Sequence, residues 1–591
     1  MGLIKPKLPD LDYDEWRTKP RMERVKPMVQ DWAVNGFGPP ESVYVLYVLK
    51  LFLYAAGILW ITSLAPGIST LAHLRDWWTE PILLQKAVVF TVLFELLGIG
   101  CGFGPLTLKF LPPVGSPLYW LRPGTIRLPP WPDKVPGTKG STRTLFDVAL
   151  YAAVMASGVW LLFSPGTKAG LAGTSAGLID PARTIPLLVT LGLLGLRDKA
   201  IFLAARSEVY LPFIVAFAFA PADMIVSWKL SFMVIWWGAA TSKINHHFGN
   251  VVEVMESNSP FVRLKAWKRL MHRDAVSDVR PSRLAVMIAH VGTVLEFLIP
   301  LALFVSGGGA PTKIAAVGMI LFHLHILSTL PMGAPFEWNI FMLFGIVFLF
   351  VHNAALGLGD LVHPVPVLAL TAAMEAIVLL GNYFPEKFSF LLAMRYYAGN
   401  WATSMWCLKP SAVPKFDHVV GFPGFARTQL AKLYGERTAD LLAHKGYAFR
   451  AMHSHGRALF GLVPRAAGPD HENYLLIDGE FLAGPTIGWN FGEGHLHDEQ
   501  LVSALQERCG FEPGEVRVVM IEASPMGGKY QDYRLVDAVT GEFERGRVKI
   551  ADMLARQPWA GEIPVELVAA PAPTPTIPAP AAPSGRATAG A

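Results

Sequence analysis

The residues of this chain that could do chemistry gather at the end of one apolar run, SWKLSFMVIWWGAATSKINHHFGNVVEVMESNSP, residues 227–260, where Lys243, Asn245, His246 and His247 follow two adjacent tryptophans. An amine and two imidazoles at the mouth of a membrane helix are costly to place, so they are either paired or functional. Desolvation disfavours the ammonium form of a lysine, and the free amine can then act as a general base. Lys243 is positioned for that role, His246 and His247 for passing a proton to water, and Trp236 and Trp237 for walling a flat apolar substrate. The competing reading leaves Lys243 snorkelling to the interface and the histidines on a solvated loop.

Further charges fall in predicted spans: Glu95, Asp198, Lys229, His290, Glu296, His323, His325 and Glu375. A bare charge facing hydrocarbon costs about 2.5 to 3.5 kcal/mol on insertion scales, so these groups should face one another. Glu296 lies mid-span, and Pro300 one turn later frees a carbonyl that could line a cavity. Lys243, Glu296 and His323 are therefore expected to converge on one pocket, with Lys229 above or outside it. The alternative is a structural ion pair of Glu296 with a lysine. The candidate catalytic set is Lys243, His246, His247, Glu296 and His323, and the candidate substrate contacts are Trp236, Trp237, Asn245 and His325. No metal is expected. The repeated HLH (323–325 and 495–497) and HSH (453–455) place histidines two apart, which on a helix point about 200° away from each other, whereas metal-binding helices use i, i+3 or i, i+4 pairs. The histidines of 453–455 and 495–497 read as surface residues.

The elements that must hold these groups are membrane helices. Of 591 residues, 52% are hydrophobic and only 16% charged, which excludes a soluble multidomain enzyme. Cys101, Cys407 and Cys509 are too scattered for a disulfide framework, and the net charge of +5 reflects loop topology rather than a nucleic-acid surface. Residues 1–42 are polar, carry seven Lys or Arg and lack a signal-peptide core, so they are expected to be a cytoplasmic segment. Apolar runs near 43–64, 82–102 and 145–164, three crossings between 184 and 244, and runs near 284–305, 313–330, 339–353 and 366–382 predict a helical bundle of about ten spans over 43–382. The basic loops at 103–144 and 245–283 alternate with poorly charged ones, which places both termini in the cytoplasm of a multi-pass cell-membrane protein.

After the bundle, residues 383–409 crowd tyrosines and tryptophans around few charges and predict an interfacial helix. Residues 410–565 mix strand-like runs such as VRVVMIEA (516–523) and a turn-bounded pair around 537–546 with a helix over 498–510, capped by Asp498 and stopped by Gly510. This predicts a small cytoplasmic α+β domain. The Ala- and Pro-rich residues 566–591 cannot bury a core and are expected to be disordered.

The motifs WWGAATSKINHH (236–247), EFLIP (296–300), and His323 with Gly333 ten residues on resemble the horizontally transferred transmembrane domain of vitamin K-dependent gamma-carboxylase-like proteins. The whole chain, including MRYYAGNW (394–401) and SPMGGKYQDYRL (524–535), is similar to an actinobacterial transmembrane family of unknown function. The first resemblance spans about 43–382 and implies that Lys243 is the base that deprotonates a reduced quinone. The chain departs from it at Asn245, where the motif has an acidic residue, and in having a short cytoplasmic domain in place of a large lumenal one. The reading that follows is a membrane enzyme using Lys243 on a quinone-like or lipid substrate; the alternative is a non-catalytic transporter or lipid-binding scaffold.

Overall fold

Long uncharged runs become long helices, because a segment facing lipid must satisfy every backbone polar group internally. The computed structural model describes residues 3–100, 116–329, 336–388, 391–489 and 499–568. In chain order its main helices are α1 (Arg21–Asn35), α2 (Glu41–Ser63), α3 (Pro81–Leu96), α4 (Leu145–Leu162), α5 (Pro221–Ser242), α6 (Phe248–Asn258), α7 (Arg283–Val305), α8 (Gly309–Thr329), α9 (Phe336–Gly345) and α10 (Pro364–Tyr383). Proline stands in the first turn of α3, α5 and α10, where its missing N–H is no loss, and the side chains of Thr144 and Ser282 cap α4 and α7.

Among the described residues six helices, α2, α4, α5, α7, α8 and α10, are long and apolar enough to cross a membrane, and the shorter apolar helices Ser207–Ala218 and Phe336–His352 accompany them. Of the ten or so spans expected from sequence, six reach that length and composition among the described residues. The apolar run at 82–102 gives α3, with 16 residues, nearly all enclosed by the bundle. The run from 184 to 220 is cut where the Asp198 side chain caps a new helix at Ala200 and where Arg206 takes a left-handed conformation, φ 50°.

The burial of the spans differs sharply. The apolar window of α5 is 78% buried, against 28% for α7 and α8 and 22% for α10. The helix that ends at Lys243 is thus interior, packed against α7 and α10, which present valine, leucine and methionine outward.

The C-terminal part is built on a six-stranded antiparallel sheet: β1 (Thr403–Leu408), β2 (Leu475–Asp478), β3 (Val516–Ile521), β4 (Tyr530–Asp537), β5 (Gly541–Lys549) and β6 (Glu566–Val568), in the order β6-β5-β4-β3-β1-β2. Helices α11 (Glu436–Met452) and α12 (Ser454–Ala467) pack on it. The same core takes in α1, whose Val25, Met28, Val29 and Trp32 are fully buried with Met405, Val519 and Leu535. Arg21 fastens α1 by donating to the Tyr474 carbonyl at 2.6 Å, and Asp31 pairs with Lys445 at 2.7 Å.

Residues 383–409 are not one aromatic helix. They form short 3-10 turns at Leu391–Ala393 and Arg395–Ala398 and then β1, because Met394 (φ 57°) and Gly399 (φ 75°) turn the chain through left-handed conformations that a helix cannot absorb. Residues 566–568, placed in the tail by sequence, pair with β5 as β6.

Candidate functional site

Lys243 is the residue that closes α5, so its charge lies where the last carbonyls of the helix favour a cation. Its Nζ is 2.5 Å from Glu296 Oε2 on α7, and the rings of Phe248 and Phe322 lie 5.2 and 5.9 Å away. Aromatic faces at that range add a favourable interaction to the ammonium. The Lys243 side chain keeps 10% exposure and Glu296 4%, so the carboxylate is buried and the ammonium is the more accessible member of the pair.

His323, on α8, is held one level deeper. Trp236 Nε1–H donates to its Nε2 at 3.0 Å, which leaves Nδ1 to carry the hydrogen and donate to Asn339 Oδ1 at 2.8 Å. Both bonds require the neutral imidazole. Trp236 and Lys243 are two helical turns apart, about 10 Å along α5, so Lys243 and Glu296 meet directly while His323, beside the next turns, bonds Trp236 and Asn339 and feels Lys243 only through its charge. Trp236 is itself a buried donor, and Trp237 donates to the Phe297 carbonyl at 3.2 Å, which ties α5 to α7 beside Glu296.

The remaining predicted residues separate. Asn245 builds the turn from α5 into α6: its Oδ1 accepts from the backbone of His247 (2.6 Å) and Phe248 (3.0 Å). His246 is exposed. His325 is half-exposed and bonds Glu256 Oε1 of α6 at 2.7 Å. Gly333 and the histidines at 495 and 497, with the expected cap Asp498, lie outside the described residues.

His247 turns the other way, into the junction between bundle and sheet. Asn400 Oδ1 accepts from both the backbone and the hydroxyl of Ser524, so the Ser524 oxygen is free to accept from His247 Nε2–H at 3.2 Å, and His247 Nδ1 accepts from the Ser454 hydroxyl at 2.6 Å. Burial, with His246 adjacent, pushes the His247 imidazole down to about 3. The HSH motif, read from sequence as surface, is buried here. His455 accepts from Arg450 at 2.9 Å, and Arg450 also joins Asp478 and, at 3.2 Å, Glu480. Burial lowers His453 to about 4 and His455 well below its ordinary value. Glu480 is raised to about 7 by burial, and Asp478, which shares the same guanidinium, adds to that rise. The backbone here is close-packed: a Cβ on Gly456 would lie 1.7 Å from the Arg450 carbonyl oxygen.

In two charge pairs of the bundle, Lys50, Arg206 and Glu337 escaped the sequence reading, which named only Glu95. Lys50 pairs with Glu337 at 3.0 Å and Arg206 with Glu95 at 3.0 Å, all with side chains at most 5% exposed, and Arg206 lies over the Trp338 ring. Lys50 was legible as a lone cation inside the 43–64 run, but Arg206 and Glu337 stand at helix ends where charge is unremarkable. Lys229 is remote from the Lys243 pair: its Nζ donates to the carbonyls of Asn353 (2.8 Å) and Leu356 (2.6 Å), closing the end of the α9 segment.

The chain belongs to the DUF3556 family, described as "Transmembrane protein of unknown function", whose profile matches residues 1–568. No curated protein and no solved structure matches it.

Proposed function

We propose that this transmembrane protein is an enzyme of the cell membrane, with both termini cytoplasmic, in which Lys243 and Glu296 act as an acid–base pair on a quinone-like or lipid substrate. The observation that carries this reading is the access of the pair. The Lys50–Glu337 and Arg206–Glu95 pairs have side chains at most 5% exposed, whereas Lys243 retains 10% at the end of an interior helix, between the rings of Phe248 and Phe322. In this reading Glu296 accepts the Lys243 proton, and the amine so freed takes one from an acidic C–H or O–H of the substrate. The neutral His323 behind the pair offers a second proton acceptor only if it breaks its bond from Trp236. The gamma-carboxylase-like resemblance supports the base role of Lys243 and a reduced quinone as the molecule it acts on. Asn245, which stands where that motif is acidic, caps a turn and so supplies no proton here.

The close Lys243–Glu296 contact also favours a second reading, a transporter or lipid-binding scaffold in which the pair is structural. Two variants separate them. Lys243→Met leaves Glu296 buried and unpaired, which costs about 3 to 5 kcal/mol in either case. Lys243→Met with Glu296→Gln removes both charges and should extract and fold like the parent. An enzyme then fails to complement a deletion strain, and a prenylquinone or lipid seen by mass spectrometry in the parent preparation remains bound or is lost without activity. A double variant that complements fully overturns the acid–base reading.

A further inference from the structure

Between α6 and α7 the chain runs through residues 261–276, FVRLKAWKRLMHRDAV, which contain the short helix Lys265–Leu270 and the strand His272–Asp274. Apart from the buried Met271 and Ala275, its apolar side chains are turned mostly outward: Phe261 is 76% exposed, Leu264 72%, Leu270 54% and Val276 65%, and Trp267 is partly exposed. Arg263, Lys265, Arg269 and Arg273 are exposed among them, against one exposed acid, Asp274. A soluble loop has no reason to display this many large apolar residues at every third position from 261 to 270.

The position of the segment explains the composition. Ser282, whose side chain caps α7, donates its hydroxyl to the Leu270 carbonyl at 2.6 Å, and its backbone N–H donates to Met271 at 2.9 Å. Leu270 is thereby fixed at the point where α7 begins, and α7 continues the apolar surface with exposed Val286, Met287 and Val291. The exposed face is continuous with the lipid-facing side of a spanning helix and carries a fourfold cationic fringe.

We propose that residues 261–276 form an interfacial anchor for the leaflet that α7 enters: Phe261, Leu264 and Leu270 insert at the acyl boundary, and Arg263, Lys265, Arg269 and Arg273 bind anionic phospholipid headgroups. Apolar insertion combined with basic attraction is what gives such segments their selectivity for anionic membranes. This anchor does not depend on the acid–base role of Lys243.

The test uses the full chain carrying Leu264→Cys, labelled with an environment-sensitive fluorophore and placed in nanodiscs of phosphatidylcholine alone or with phosphatidylglycerol; the chain without the added cysteine sets the background. The expected result is blue-shifted emission, quenched by brominated acyl chains, in the phosphatidylglycerol discs. Neutralising Arg263, Lys265, Arg269 and Arg273 to Gln should return the signal to its phosphatidylcholine value and lower the phosphatidylglycerol retained in native mass spectra by about tenfold. Equal emission in the two compositions overturns the proposal. So does water-like emission in both, which is the result expected if the face serves a soluble protein partner.

Discussion

Lys243 and His247 stand four residues apart on either side of one turn, and their surroundings could hardly differ more. Lys243 has one charged partner, two aromatic neighbours and a side chain that keeps 10% exposure. His247 is enclosed by two hydroxyls with both ring nitrogens engaged, and the nearby His455 takes a bond from a guanidinium shared by two carboxylates. The comparison teaches that a costly group in the interior is not by itself a sign of chemistry. Where every donor and acceptor is matched, burial locks two parts of the chain together; the proposed chemistry falls instead on a pair with one aromatic-flanked member nearer the surface.

The sharpest way to break this contrast is to remove the centre of the enclosed side. Arg450→Met leaves Asp478 and Glu480 buried without their cation and should cost about 3 to 5 kcal/mol, read as a lowered Tm of the detergent-extracted protein. An unchanged Tm would mean that the junction is not the lock described.

Acid should distinguish the two sides next. His247, His453 and His455 are neutral in the folded protein with depressed pKa values, so below about 6.5 the unfolded chain binds protons that the folded one does not. Stability therefore falls with pH through that window, by about 1.4 kcal/mol per imidazole per unit. The raised Glu480 acts in the opposite sense, gaining its proton in the fold between about 7 and 4.5. A net loss of roughly 2 kcal/mol is expected from pH 7.5 to 5.5. Hydrogen exchange should show it first in α12 and β1, and uniform exchange across the bundle would count against it.

Smaller effects refine the boundary between the two environments. Asn245→Ala removes the cap that turns α5 into α6 and should cost about 1 kcal/mol. It should also loosen the Lys243–Glu296 geometry. His246→Ala, at an exposed position, should change stability by less than about 0.5 kcal/mol. If it abolishes complementation, His246 has a part in proton transfer that its exposure alone does not require.

Several of these relations could be read from residue types. A lysine and a glutamate inside apolar runs must find partners, and the expectation that Lys243 and Glu296 meet follows from that cost alone. The strand Val516–Ile521 and the helix Gln500–Cys509 closed by Gly510 were legible because alternation and stop signals are local. What was illegible depended on distant chain. An apolar run does not show where its helix stops, so the 16-residue length of α3 was not legible. The burial of His453 and His455 depends on Arg450, Gly399 and the turn that Gly456 permits, none of which leaves a periodic trace. The aromatic stretch after 383 misled because tyrosine and tryptophan suit an interface and a strand equally well, and the left-handed turn at Met394 has no signature of its own.

The burial of α1 in the C-terminal core has a consequence for biosynthesis. Its anchor from Arg21 to Tyr474 spans 453 residues of sequence, and the strands that receive it are made later than every membrane helix described above. At roughly 5 to 20 residues per second, α1 leaves the ribosome on the order of 20 to 90 seconds before its binding site exists. Throughout that interval Val25, Met28, Val29 and Trp32 form an unpartnered apolar stripe beside a nascent bundle. A 15-residue helix is marginal alone, so α1 is expected to settle only when the sheet that buries it is made. Ribosome-bound chains stalled before and after β3 should differ in protease cleavage at α1, with protection appearing only in the longer ones.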